Sequence, residues 1–300
     1  MDRKTAISTK TRRLLGAGLG IPKTYKLYIG GSFPRTESGR YLQTVGPLGS
    51  VNFCRASRKD FRDAVEAARK ALEGWAGRTA YNRGQIIYRI AEMMEGRRTQ
   101  FIQELMATGQ TRTEAKTMVS RSVDRIVYYA GWCDKYQQVF SAVNPVASSY
   151  FNFSMYEPTG VVALICPAQG SLLGLVTGLM PIIAGGNTCV LLASEHEPLS
   201  SISFAETLHT SDVPAGIINI LTGLRSELST HMASHMDVNS LVIYGNGEPD
   251  QEKELADLVS HNMKRLVRRS DLDLTAEKYQ GPYQILDTQE LKTTWHPVGK

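Results

Sequence analysis

A doubly wound α/β fold with a mostly parallel sheet is predicted by two features of the sequence. Val161–Ile165 and Thr188–Leu192 are continuous apolar runs rather than alternating ones, the pattern of strands covered on both faces. Ser171 to Ile183 reads as a helix between them, which makes a βαβ unit, and the alternation then repeats as far as Val267. At 300 residues, 42% hydrophobic and 21% charged, the chain can bury a large core and is neither a disulfide scaffold nor a disordered or fibrous sequence.

Residues 1–22 read as a basic, disordered tail. Arg3, Lys4, Lys10, Arg12 and Arg13 face only Asp2 there, so most of the formal charge of +5 belongs to the tail and the body is nearly neutral. A neutral body excludes a nucleic-acid surface, which needs Lys and Arg clustered within the folded part. Cys54, Cys133, Cys166 and Cys189 are far apart, with no CxxC spacing, so reduced thiols and a cytoplasmic location are expected. The basic, Ser- and Thr-containing start leaves a mitochondrial location open, although Asp2 sits where presequences avoid acids.

Tyr25 to Ile29 alternates as a strand, stops at Gly30-Gly31, and is expected to form a hairpin with Tyr41–Val45. Ser57 and Asp60 have capping-box spacing ahead of Phe61, Ala64, Val65, Ala68, Ala71, Leu72 and Trp75, one face of an amphipathic helix. Ile86 to Met94 and Met118 to Ala130 mark two more helices. Val139 to Pro158, with a turn at Asn144-Pro145, reads as an extended hairpin whose Val143, Tyr150, Phe151 and Phe153 call for a partner edge. After the first βαβ unit come a helix Ile202–His209, a strand Ile217–Leu221, a helix after Gly223, a strand Leu241–Tyr244, a helix Gln251–Asn262 and Leu266-Val267. Residues 268–280 end the regular pattern, and Glu290 to Pro297 supplies one more strand.

Pro158 to Ser194 carries no charge, yet Pro167, Gln169, Gly170, Pro181 and Gly185-Gly186-Asn187 cut it into runs too short for a bilayer, so no membrane partner is expected. His231 and His235 have i, i+4 spacing but no third ligand motif, and no metal is expected. Cys166 would serve as a nucleophile only with a neighbour that lowers its pKa; none is adjacent in sequence, and it reads as a buried strand-end thiol.

With these elements in order, the strings Tyr128-Tyr129-Ala130-Gly131-Trp132-Cys133-Asp134-Lys135-Tyr136, Glu157-Pro158-Thr159-Gly160-Val161-Val162, Ala184-Gly185-Gly186-Asn187-Thr188, Pro214-Ala215-Gly216-Ile217-Ile218-Asn219-Ile220 and Asn262-Met263-Lys264-Arg265 resemble the aldehyde dehydrogenase superfamily, from about Tyr25 to Val267. Ser211-Asp212-Val213-Pro214 and Leu291 to Pro297 are most similar to the non-catalytic C-terminal half of family-sixteen members. The resemblance implies a Rossmann-like dinucleotide-binding domain, residues 23–138 and 157–275, with an N-terminal helical layer. It also implies an oligomerisation element, residues 139–156 and 283–300, whose C-terminal strand pairs with such hairpins across a subunit interface. The catalytic domain is expected to be missing, because residues 275–300 are too few for an independent core.

The family mechanism uses a cysteine thiolate, an amide-lined oxyanion hole, a hydride transfer to NAD and a glutamate base. Its remnants here are vestigial. Pro167-Ala168-Gln169-Gly170-Ser171 stands where the resemblance implies Pro-Trp-Asn-Phe-Pro, so Gln169 takes the oxyanion-amide position with one methylene too many. Arg269, followed by Ser270, Asp271 and Leu272, stands at the glutamate of a Glu-Leu-Gly-Gly string, and arginine accepts no proton at neutral pH. Of the cofactor-binding positions, Glu195, Gly223 and Gly245 remain. Leu192 replaces the ribose lysine, Arg225 and Ser229 replace two glycines of the phosphate turn, and Asn246 and Asp250 replace a serine and a glycine. Glu248 and Asp250 read as a helix cap that repels a pyrophosphate, which Arg225 offsets in part. No cofactor is therefore expected, with NAD or NADP left open. The reading leans away from an enzyme, to a non-catalytic domain that associates with itself or with a related aldehyde dehydrogenase subunit. An NAD(P)-dependent aldehyde oxidoreductase with non-standard residues and a nucleotide-binding sensor are the alternatives.

Overall fold

Hydrophobic pattern and turn chemistry place most elements where the sequence puts them. The computed structural model describes residues 23–46, 49–245, 248–270 and 273–299; the basic tail lies outside them. Strands β1 (Tyr41–Gly46) and β2 (Gly49–Cys54) form the first hairpin, with Tyr41 opposite Cys54. The expected pairing of residues 25–29 with 41–45 is thus corrected. The nearer partner closes a shorter loop, while Tyr25 and Tyr28 are drawn into the core, where Tyr28 exchanges backbone hydrogen bonds of 2.9 and 2.7 Å with Ile220.

Helix α1 (Arg58–Ala76) starts at the capping box, the Asp60 carboxylate accepting from Ser57 N–H at 2.8 Å and the Ser57 hydroxyl from Asp60 N–H at 3.2 Å. Asp60 also accepts from the Thr36 hydroxyl at 2.7 Å and from Glu37 N–H at 3.2 Å, so one buried carboxylate ties the segment before β1 to the helix. Helices α2 (Ala80–Gly96), α3 (Arg98–Ala107) and α4 (Arg112–Trp132) follow. Helix α3 is absent from the sequence reading because it begins without a side-chain cap, with only Arg97 between it and the end of α2. The short α5 (Tyr136–Phe140) then leads into β3 (Ala142–Asn144) and β4 (Tyr150–Pro158), the protruding hairpin.

The remainder winds as expected: β5 (Val161–Ile165), α6 (Ser171–Ala184), β6 (Thr188–Leu192), α7 (Leu199–His209), β7 (Ile218–Leu221), α8 (Arg225–Ser234), β8 (Ser240–Tyr244), α9 (Pro249–Ser260) and β9 (Arg265–Arg269). The five strands pair in parallel in the order β7-β6-β5-β8-β9. Alternate residues supply two cores: Val161, Ala163, Ile165, Val190 and Leu241 meet α1, α8 and α9 on one face, while Val162, Leu164, Leu191 and Val242 meet α2, α4, α6 and α7 on the other. Helix α6 runs through Pro181, yet its 14 residues rise only ~21 Å. Among the described residues no helix is long and apolar enough to cross a membrane. Gly216, at φ +86°, passes so close to α1 that a Cβ would stand 2.6 Å from the Ala67 carbonyl oxygen.

Between α9 and β9, Met263 turns the chain at φ 56° and Lys264 is buried, its ammonium donating to Asn262 Oδ1 at 2.5 Å. Burial pulls its pKa down to about 8. After β9, residues 273–288, including α10 (Tyr283–Leu286), pack back on the domain with Leu274, Tyr279 and Ile285 buried. Strand β10 (Gln289–Pro297) then pairs with all of β4, Gln289 opposite Pro158 and Pro297 opposite Tyr150, giving a three-stranded sheet β10-β4-β3. This corrects the implied pairing across a subunit interface: the strand reaches the hairpin of its own chain.

Asp60→Ala is expected to cost about 2–4 kcal/mol in urea unfolding, since it removes a cap and strands buried donors. A loss within error would show that the cap is dispensable. Between about pH 8 and about pH 10 the unfolded chain holds a proton that native Lys264 has released, so stability attributable to this residue rises with pH. The urea midpoint of the wild type should rise across that window relative to that of Lys264→Met.

Candidate functional site at the carboxyl ends of the strands

In a doubly wound sheet the ligand crevice opens beyond the carboxyl ends of the strands where the winding reverses, here between β5 and β8. Gln169, Glu195, Gly223 and Gly245 follow β5, β6, β7 and β8 in turn and Arg269 is the last residue of β9, so the fold brings the candidate residues to one end of the sheet. Arg225 links the Glu195 loop to the end of β8. The Glu195 carboxylate accepts from the backbone N–H of Arg225, the Arg225 guanidinium donates through Nη1 to the Tyr244 carbonyl at 3.1 Å, and Gly245 turns the chain at φ +91°.

Gly223 does other work. A Cβ there would lie 3.3 Å from Ala56 N, and Ala56 N–H donates to the Thr222 carbonyl at 2.8 Å, so the glycine admits the β2–α1 connection beside β7. This packing accounts for a glycine at 223 with no ligand involved. Gln169 is exposed on the loop after β5, which the Ser194 hydroxyl pins by donating to Ala168 O at 2.5 Å. Arg269 ion-pairs with Asp287 while its carbonyl accepts from Gly245 N–H at 2.9 Å. Burial raises the Asp287 carboxyl against the pull of Arg269. The position that a base would need therefore holds a cation already paired by the returning chain. Glu248 is the N-cap of α9, but its side chain makes no capping hydrogen bond; Asp250 and Glu252 in the first turn meet the helix dipole.

Cys166 is buried at the end of β5, and burial pushes its thiol far above the ordinary range, as it does for Cys189 and the Tyr244 hydroxyl. Arg125 was not singled out by sequence. It is 1% exposed on α4, donating through Nη1 to the Thr177 hydroxyl and through Nη2 to Leu274 O at 3.0 Å. Arg121 adds a bond of 2.9 Å to Thr275 O, and the Tyr129 hydroxyl bonds Gln284 Oε1 at 2.5 Å. This clamp holds residues 273–286 against α4 and α6, with a Leu274 methyl 3.5 Å from where a Gly170 Cβ would be. Its signal in the sequence is a charged residue on the apolar face that carries Val119, Ser122, Ile126 and Tyr129.

NAD, implied by the resemblance, does not fit these residues as they stand. The space between the first turns of α8 and α9, beside the Glu195 oxygen that accepts from Arg225 N–H, is about 10 Å³, room for about one water. Asn246, Asp271 and Leu272 lie outside the described residues. His235, just past α8, meets the Phe61 ring edge-on at 5.6 Å, and burial lowers both it and His231.

A model of the aldehyde dehydrogenase family matches residues 39–268. The chain is 32% identical over 237 residues to the mitochondrial 10-formyltetrahydrofolate dehydrogenase of Mus musculus, covering 76% of this chain and 26% of that protein. It is 33% identical over 230 residues to the cytosolic form of Xenopus tropicalis, covering 74% and 26%. Among solved structures, the NAD+ complex of an aldehyde dehydrogenase from Bacillus cereus superposes with a TM-score of 0.77 at 26% identity, covering 87% of this chain and 52% of that one. HpcC from Thermus thermophilus gives 0.78 at 25% identity, covering 87% and 50%. The chain thus spans about a quarter of these curated relatives and about half of the solved chains.

A thiol held protonated by burial is a poor nucleophile. Cys166 in the native protein should resist iodoacetamide at neutral pH and alkylate at least a hundredfold faster in denaturant, read by peptide mass spectrometry; fast labelling of the native thiol would contradict this.

Proposed function

This chain belongs to the aldehyde dehydrogenase family, and from that premise we propose that its 300 residues act without catalysis, by associating with a second copy or with a related aldehyde dehydrogenase subunit. Within the family the reading places it nearest the non-catalytic C-terminal half of family-sixteen members. The observation that carries it is the sheet β10-β4-β3. Val143 is 66% exposed, Phe151 45% and Trp295 56%, and the Val143, Phe151, Phe153 and Met155 side lines an open groove of about 500 Å³. Aromatic and aliphatic side chains gathered on an exposed sheet favour a protein partner. The chemistry of the crevice supports the same reading, since Arg269 is paired with Asp287 and Cys166 is buried and protonated.

Association here needs only burial. A partner that covers the groove removes Phe151 and Val143 from water, and the strand edges of β3 and β10 offer backbone donors and acceptors to a matching edge. Sedimentation velocity at micromolar concentration should give at least a dimer mass, or a complex with an added full-length aldehyde dehydrogenase. Phe151→Glu should raise the dissociation constant at least tenfold, ~1.4 kcal/mol. Absorbance at the NADH band should stay at baseline with aliphatic and aromatic aldehydes. A strict monomer that binds no such subunit would end the association reading, and steady aldehyde-dependent NADH formation would end the non-catalytic one.

A further inference from the structure

The space between α8 and α9 is occupied by the chain itself. Arg225 is the first residue of α8, and its backbone N–H, a donor that an anion would use at a helix start, is taken by Glu195. The side chain then turns across to the end of β8, where Nη1 reaches the Tyr244 carbonyl at 3.1 Å. Ile243, Gly245, Gln251, Glu252, Leu255 and Arg268 close the remaining walls, and Arg268 is itself bound to Glu252 at 3.0 Å through Nη1 and 2.7 Å through Nη2. Burial lowers the pKa of the Arg225 guanidinium, and Arg225 Nε is buried with no hydrogen-bond partner. An arginine held in this way, with one donor unsatisfied, is packed into space rather than displayed for solvent.

We propose that Arg225 is a built-in occupant of the nucleotide crevice: its side chain fills the slot beside Glu195, whose carboxylate its backbone N–H holds in place, so the chain excludes NAD and NADP. The same geometry makes the closure local. Glu195, Gly245 and the apolar Ile243 and Leu255 stay in place when the side chain is removed, leaving a slot of the kind that takes an adenosine moiety: an apolar wall with a carboxylate at one end.

The test is calorimetric titration of the purified 300-residue protein with AMP and with NAD, for the wild type, Arg225→Gly and Arg225→Ala, each shown to be folded by a cooperative thermal melt. The wild type should show no binding heat at millimolar ligand, while at least one folded variant binds AMP with at least tenfold higher affinity than the wild type. Arg225→Lys, which keeps the charge but loses the planar fork, should fall between them. Wild-type binding of NAD in the micromolar range would overturn the proposal, and so would folded glycine and alanine variants that both stay silent. This outcome is separable from association: a dimer that binds NAD removes the occupant role alone, and a closed monomer removes the association reading alone.

Discussion

Both faces of the five-stranded parallel sheet are sealed by helices, and that double burial governs the rest of the molecule. The residues of β5, β6, β7 and β8 are all buried, so charged side chains have no place along these strands and collect where the strands end. Edge strand β9 differs: Arg265, Arg268 and Arg269 occupy it, and charges of this kind keep an open edge from pairing with other chains. Two of these three arginines, Arg268 and Arg269, are tied down by Glu252 and Asp287.

At the carboxyl end, a set of positions that could hold a ligand has become a set of internal contacts. Glu195 meets Arg225, Arg269 meets Asp287, and Arg125 reaches across a buried interface to the backbone at Leu274. Each contact joins segments far apart in sequence. The guanidinium buried at Arg125 is held by a hydroxyl and a carbonyl oxygen that receive Nη1 and Nη2, and removing those acceptors would strand a charge. The returning segment 273–288 is thereby part of the domain's packing, while its last residues deliver β10 to the hairpin.

The three-stranded sheet inverts this logic. One of its faces carries a polar ladder, in which Asn144 donates to Asn152 Oδ1 at 2.6 Å and to Ser154 Oγ at 2.8 Å, and Ser154 meets Thr293 at 2.8 Å. The Asn152 side-chain nitrogen is buried without a partner. The other face shows Val143, Phe151 and Met155 to solvent. The polar ladder gives the sheet its cohesion, and exposed apolar side chains on both faces, Tyr150, Leu291 and Trp295 beside the ladder and Val143, Phe151 and Met155 opposite it, give it affinity.

Continuous apolar runs and helical periodicity announced the βαβ units, and the Ser57–Asp60 spacing announced the cap of α1, because each is a local pattern with a local cause. The same reasoning missed α3, which lacks a start signal, and misplaced the first hairpin, since strand pairing depends on which edge is nearest and not on alternation alone. The substitutions at Gln169, Arg225 and Arg269 were legible as chemistry: an arginine cannot serve as a base in any fold. What sequence alone determined was therefore the doubly wound architecture and the chemical type of the side chain at each strand end. Only tertiary structure decided that Gly223 packs against Ala56, that Arg225 turns inward to Tyr244, that Asp287 returns to pair with Arg269 and that β10 closes on its own hairpin. Those contacts join residues separated by anything from 18 positions to well over a hundred, and their geometry exists only after the sheet has brought the strand ends together.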